Sequence, residues 1–154
     1  MMTIQNPTHS LQELSADSAL QMLIAAKEQA EALGVAVCIS VVGSQGIPLA
    51  RLRMNGAPLH SIDYAEDKAY TAVSFKCPTH EWDQRLSAHP GVQQALAGHP
   101  RMLMLGGGLP VTLNPHADNT AQIVGAVGVS GASVDQDIQC AEAAISVWSQ
   151  QLAE

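Results

Sequence analysis

The run Val35 to Val42, nearly all apolar and rich in β-branched residues, is the feature that most constrains how this chain can fold. A segment this short and so nearly apolar throughout fits a strand covered on both faces, so the sheet that holds it needs helices packed against it. Gly43-Ser44-Gln45-Gly46 then supplies turn chemistry, and Ile47 to Met54 returns as a second strand whose Pro48 belongs near its start or at an exposed edge. Within that second strand Pro48, Ala50, Leu52 and Met54 share one face, and Ile47, Leu49, Arg51 and Arg53 share the other. Two guanidinium groups therefore point the same way.

Helical periodicity supplies the covering layers. Ser15 to Leu33 carries Leu20, Leu23, Ile24, Ala30 and Leu33 at helical spacing, with Ser15 as the cap, Asp17 in the first turn and Gly34 as the stop. Ser61 to Phe75 presents a narrow stripe of Ile62, Ala65, Ala69 and Ala72, small enough for close packing. Ser133 opens a terminal helix with Gln136 three residues on, a capping box, and Ile138, Ala141, Ile145, Trp148 and Leu152 form its apolar seam. The stretch Cys77 to Pro100, with Pro78, Pro90 and Pro100, predicts two short helices opened by Thr79 and Pro90. Met102 to Leu105, Leu109 to Leu113 and Gln122 to Val129 read as three further strands, with Gly106-Gly107-Gly108 as a loop and Asn114 to Ala121 as a polar hairpin. The order predicts an α+β domain, a five-stranded antiparallel sheet with helices packed on it. Residues 1–14 read as a flexible lead-in and 15–154 as one domain.

Charge and composition narrow the partners. Seven basic against fourteen acidic residues give a net charge of −7, which repels polyphosphate and anionic lipid, and aromatics at 3% offer no stacking platform for single strands. Neither nucleic acid nor a membrane is expected as a partner. No segment is long and apolar enough to span a bilayer, and the N-terminus lacks the basic start and apolar run of a signal peptide, so a cytoplasmic location is expected. Cys38, Cys77 and Cys140 are odd in number and widely separated, which fits buried thiols better than disulfides or a metal site.

Four stretches together resemble the GlcG/HbpS-like family, which also includes the C-terminal domain of PduO-type corrinoid adenosyltransferases. They are Arg53-Met54-Asn55-Gly56-Ala57, Ala65-Glu66-Asp67-Lys68-Ala69 continuing to Thr71-Ala72, Gly106-Gly107-Gly108-Leu109-Pro110, and Gly125 to Gly131 leading into Asp135-Gln136-Asp137. The resemblance runs over most of the chain. It implies a profilin-like fold, assembly into homo-oligomers and, from some members, haem as the cofactor. The chain departs from the family at Gly43 and Asn55, where aspartate is usual, and in its longer hairpin. Members that ligate haem use a histidine near the first helix, and His9, just upstream of that helix, is the one nearby candidate here.

The chemistry of individual residues stays open between a site and a structural role. Arg53 could hold a carboxylate or propionate through its forked guanidinium or pair with surface acids, and Arg51 is expected to do the latter. Lys68, beside the alanine stripe, could act as a base or nucleophile with a lowered pKa, or extend to a carboxylate. Gly106, Gly107 and Gly108 could converge their N–H groups on an anion or simply make a sharp turn. Arg53, Lys68, Thr71 and the three glycines are thus the candidate ligand-binding residues, Lys68 and His60 the candidates for moving a proton, and His9, His60 and His116 the candidate metal ligands. His80, His89 and His99 lack the spacing of a zinc site, and capping is the expected role of Ser133, Asp135 and Asp137. No GxSxG, P-loop or dinucleotide fingerprint is present. The leading expectation is a protein that binds a small anionic or tetrapyrrole ligand. The alternatives are an enzyme or accessory protein of small organic acid catabolism, of proton-transfer, isomerase or lyase type, and a structural oligomeric assembly partner.

Overall fold

A computed structural model describes residues 6–114 and 121–154. Its elements are α1 (Ala16–Ala32), β1 (Cys38–Gly43), β2 (Pro48–Arg53), α2 (Ser61–Phe75), a 3-10 turn (Thr79–Glu81), α3 (Trp82–Leu86), α4 (Pro90–Ala97), β3 (Gly108–Thr112), β4 (Ile123–Ser130) and α5 (Val134–Ala153). The fold is α+β, with every strand pairing antiparallel in the order β2-β1-β4-β3.

Among the described residues the sheet has four strands rather than five. Met102 to Leu105 does not join it, because side chains take up its backbone groups: Leu103 N donates to Thr71 Oγ1 at 2.9 Å, and Leu105 O accepts from Thr79 Oγ1 at 2.7 Å. With those groups satisfied by two threonines, a ladder partner is not required. Thr79 thus braces this segment instead of capping a helix.

The central strand β1 is buried along its whole length, as its composition demands. Ile39 and Val41, with Val127 and Val129 of β4, face a core filled from α1 and α5, and Val42 and Ala126 face α2. The helix α1 starts at the expected cap, Ser15 Oγ accepting from Ser18 N at 3.1 Å, and ends before Gly34 at φ +69°. It buries Ala19, Met22, Leu23, Ala26 and Ala30, while Leu20 and Ile24, expected inside, are 52% and 43% exposed. Upstream of it, Leu14 is buried and its N–H donates to Val124 O at 3.0 Å. The capping box of α5 is complete, with Ser133 Oγ accepting from Gln136 N and Gln136 reaching back to Ser133 N.

The approach of α2 to the sheet is what builds the interior site. Ala65, Ala69 and Ala72 are fully buried, and Gly128 lies directly beneath them. A Cβ on Gly128 would overlap Ala65 O and stand 2.7 Å from Ala69 N. Small residues on both surfaces thus let the helix backbone rest on the backbone of β4. No helix among the described residues is long and apolar enough to cross a membrane.

Candidate functional site

Lys68 lies on that same close-packed face of α2, so its side chain has no path to solvent and is fully buried. Its ammonium donates to Val129 O at the end of β4 and to Asp137 Oδ2 in the first turn of α5, both at 2.9 Å. Asp137 Oδ1 in turn accepts from Ala132 N at 3.0 Å. Burial lowers the proton affinity of Lys68 and raises that of Asp137, and the mutual attraction of the pair opposes both shifts. Asp137, expected only as a helix-start residue, is therefore the counter-ion of Lys68.

The glycine loop packs against this pair. Gly107, at φ +118°, passes so near that a Cβ would stand 3.1 Å from both Lys68 Nζ and Asp137 Cβ. Gly107 O accepts from Val129 N at 2.9 Å, and Gly108 N donates to Thr79 Oγ1 at 2.9 Å. The loop is buried and partly committed to internal bonds. Thr71 is buried as well, its Oγ1 donating to Asp67 O at 2.7 Å and accepting from Leu103 N.

Arg53 and Lys68 do not line the same cavity. Arg53 donates to Ala57 O at 2.6 Å and borders an open groove of about 370 Å³ with Lys27, Glu31, Leu52, Met54 and Asn55. Arg51 pairs with Glu66 at 3.0 Å and Asp63 at 3.8 Å, the surface role expected of it. Lys68 instead borders a cleft of about 180 Å³ with His60, Ser61, Tyr64, Ser130 and Asp137 among its walls. His60 stands edge-on to Tyr64 with ring centroids 5.0 Å apart.

A third opening lies at the C-terminal end of α2. His9, Leu11, Val73, Lys76, Gln122 and Ile123 are among the residues that line a groove of about 360 Å³, and a second of about 320 Å³ shares its Lys76, Ala121 and Ile123. Lys76 adopts a left-handed conformation, φ 56°, as the C-cap of α2, which sets where its ammonium stem departs. His116 falls outside the described residues. Among the described residues no three His, Cys, Asp or Glu side chains converge as a metal-ion site, and Cys38, Cys77 and Cys140 are free, buried thiols.

Ser61, Tyr64, Lys76 and Asp137 were absent from the sequence-based site. Ser61 did carry a signal, since it falls four residues before Ala65 and seven before Lys68, on one helical face. Asp137 closes the fourth of the matching motifs, but at 69 residues from Lys68 no local spacing pairs the two.

Comparison with known proteins agrees with this architecture. A family model described as haem degrading protein HbpS-like matches residues 14–146. An uncharacterized 15.0 kDa protein from the dhaT-dhaS intergenic region of Citrobacter freundii is 34% identical over 148 residues, covering 94% of this chain and 99% of that protein. The corrinoid adenosyltransferase PduO of Salmonella typhimurium is 35% identical over 129 residues, 82% of this chain but 36% of PduO, so the chain corresponds to about a third of that enzyme. Among solved structures, Klebsiella pneumoniae ORFY superposes with a TM-score of 0.81 at 35% identity over 96% of this chain and 98% of that one. HbpS gives 0.79 at 35% identity over 96% and 98%. The PduOC:heme complex gives 0.74 at 33% identity over 88% and 94%. The four motifs, the α+β fold and the match across residues 14–146 converge: this chain belongs to the HbpS-like family.

Proposed function

We propose that this chain binds haem or a related tetrapyrrole in the groove bordered by His9 and Lys76. The observation that carries this reading is its similarity to a chain solved as a haem complex, 33% identical with a TM-score of 0.74 over 88% of its length. The chemistry of the groove fits such a ligand. Leu11, Val73 and Ile123 give apolar wall, Lys76 gives a cation for a propionate, and His9 gives an imidazole of the kind that holds haem iron. The two grooves, which share Lys76, Ala121 and Ile123 and measure about 360 and 320 Å³, each fall within the ~300–1,000 Å³ typical of ligand sites. A haem site needs one or two axial donors rather than a cluster of three, so the absence of such a cluster among the described residues does not conflict with it.

When bound, haem would supply an iron centre open to ligand exchange or electron transfer. This chain's residues would do the rest: His9 would offer a ring nitrogen to the iron, Lys76 would neutralise a carboxylate, and the apolar wall of Leu11, Val73 and Ile123 would exclude water. A net charge of −7 makes such a local cation necessary for any anionic ligand. The proposed assembly is a homo-oligomer, for which the exposed Leu20 and Ile24 of α1 offer apolar surface. Titration of the purified chain with haemin tests the function. A Soret band that saturates at one haemin per chain supports it, and a band that grows without a break point refutes it.

A further inference from the structure

Arg53 is the arginine that the fold leaves without a counter-ion. The chain has fourteen acidic residues for seven basic ones, and Arg51, Arg85 and Arg101 each pair with one or two carboxylates. Arg53 is exposed, yet it pairs with no carboxylate among the described residues. Its Nη2 donates to the carbonyl of buried Ala57 at 2.6 Å, which holds the guanidinium in place from one side. A guanidinium has five N–H groups. Four therefore remain, and whichever hydrogen Ala57 takes, two parallel ones are left to grip both oxygens of a carboxylate.

The groove that Arg53 borders has walls suited to such a group. Because β2 is an edge strand, this opening of about 370 Å³ reaches residues from both of its faces. Leu52 and Met54 give an apolar lining packed against the main core, and Met54 is anchored by Val37 N, which donates to its Sδ at 3.5 Å. Lys27 and Glu31, an ion pair one turn apart on α1, line it as well, with side chains 39% and 52% exposed. The strand edge adds a backbone donor. Met54 N donates to Val37 O, and residues of an antiparallel ladder alternate in direction, so Arg53 N–H points away from β1 to the open edge.

Charge decides the class of ligand. Lys27 and Glu31 cancel and Asn55 is uncharged, so Arg53 leaves the groove with one net positive charge in a chain of −7. A monoanion neutralises it. A dianion brings a surplus negative charge beside Glu31, and an uncharged molecule leaves the guanidinium fork unused. The volume corresponds to roughly twelve waters at ~30 Å³ each, room for a short carbon chain behind the charge. We propose that this groove, separate from the one bordered by His9, binds a small monocarboxylic acid, its carboxylate on Arg53 and its carbon chain along Leu52 and Met54.

The test is a titration of haem-free, nitrogen-15-labelled protein with butyrate at constant ionic strength, followed by backbone amide shifts. Butyramide serves as the uncharged arm and succinate as the dianionic one. The expected result is saturable movement of the Arg53, Asn55 and Gly56 amides, with butyrate binding tighter than either comparator. Arg53→Gln should weaken butyrate about tenfold or more, because it removes charge-assisted hydrogen bonds, whereas Arg51→Gln should change the affinity less than about twofold. Glu31→Gln, an exposed change on α1 that spares the fold, should tighten binding, since it deletes the negative charge of the groove and releases Lys27. Shifts that never saturate, movement centred on Lys76 and Ile123 in place of Arg53, equal affinity in Arg53→Gln, no gain in Glu31→Gln, or tighter binding of succinate or butyramide would each overturn the proposal.

Discussion

Replacing Lys68 with methionine keeps the unbranched stem in its apolar slot and deletes only the ammonium. Val129 O and Asp137 Oδ2 then lose donors that now stand at 2.9 Å. Breaking a buried pair from one side costs about 3–5 kcal/mol, because the surviving charge is left in a place that excludes water. Asp137 has one escape, which is to take up a proton. From an ordinary carboxyl value of 3.8, doing so at pH 7 costs at most about 4 kcal/mol at ~1.36 kcal/mol per unit. The penalty of Lys68→Met is therefore expected at about 3–4 kcal/mol at pH 7. Its pH dependence has a definite sign. A folded-state carboxyl raised above its unfolded value binds more protons in the fold, so stability is present at low pH and is lost as pH rises from 3.8 toward the raised value. The penalty should shrink by up to about 3 kcal/mol between pH 7 and pH 5. Urea denaturation at both pH values measures this, and the double variant Lys68→Met/Asp137→Leu should lose less than the two single changes added together. A cost below about 1 kcal/mol at pH 7, or one that does not change with pH, would refute the reasoning.

Three further outcomes follow from particular contacts. Gly128→Ala should destabilise the fold by more than about 3 kcal/mol, since its methyl would overlap Ala65 O, whereas Gly56→Ala, with no atom nearby but a φ of +87°, should cost about 1 kcal/mol in the same thermal melts. Ser133→Ala should lower the urea midpoint by an amount equal to about 1 kcal/mol, because it removes the hydroxyl half of an intact capping box. Burial pushes the Cys140 thiol up to about 11 from 9.0, so the folded state keeps a proton that the unfolded chain has released. Stability should fall by about 2–3 kcal/mol as pH rises from 9 to 11, less so in Cys140→Ala, and a flat profile there would contradict the assignment.

Periodicity carried most of the fold because each element announces which side it buries. The alanine stripe of α2, the wholly buried β1 and the Ser133–Gln136 box each had one reading, and the structure has them. Met102 to Leu105 was misread because its pattern is that of a strand, while its backbone partners are Thr71 and Thr79, distant side chains that no local rule anticipates. Leu20 and Ile24 show a related limit: spacing identifies an apolar face, but Ala19, Met22 and Ala26 set where it points. The interior site was legible by halves. Lys68 stood on a face of small residues and Ser61 shared it, yet Asp137, which gives the lysine its counter-charge, comes from the far end of the chain. Arg53 and the glycine loop belong to the same family pattern, but once folded Arg53 borders an open groove while Gly107 packs against Lys68 and Asp137.

The identity of the group that holds the iron tests the functional account most directly. Haemin titrated into wild type, His9→Ala and His60→Ala distinguishes the two described openings that contain a candidate imidazole, the groove by Lys76 and the cleft by Lys68. A saturating Soret band at one haemin per chain is expected in wild type and unchanged in His60→Ala, with His9→Ala shifting the band and weakening binding at least tenfold, about 1.4 kcal/mol. An unaltered band and affinity in His9→Ala, or their loss in His60→Ala alone, would contradict the assignment.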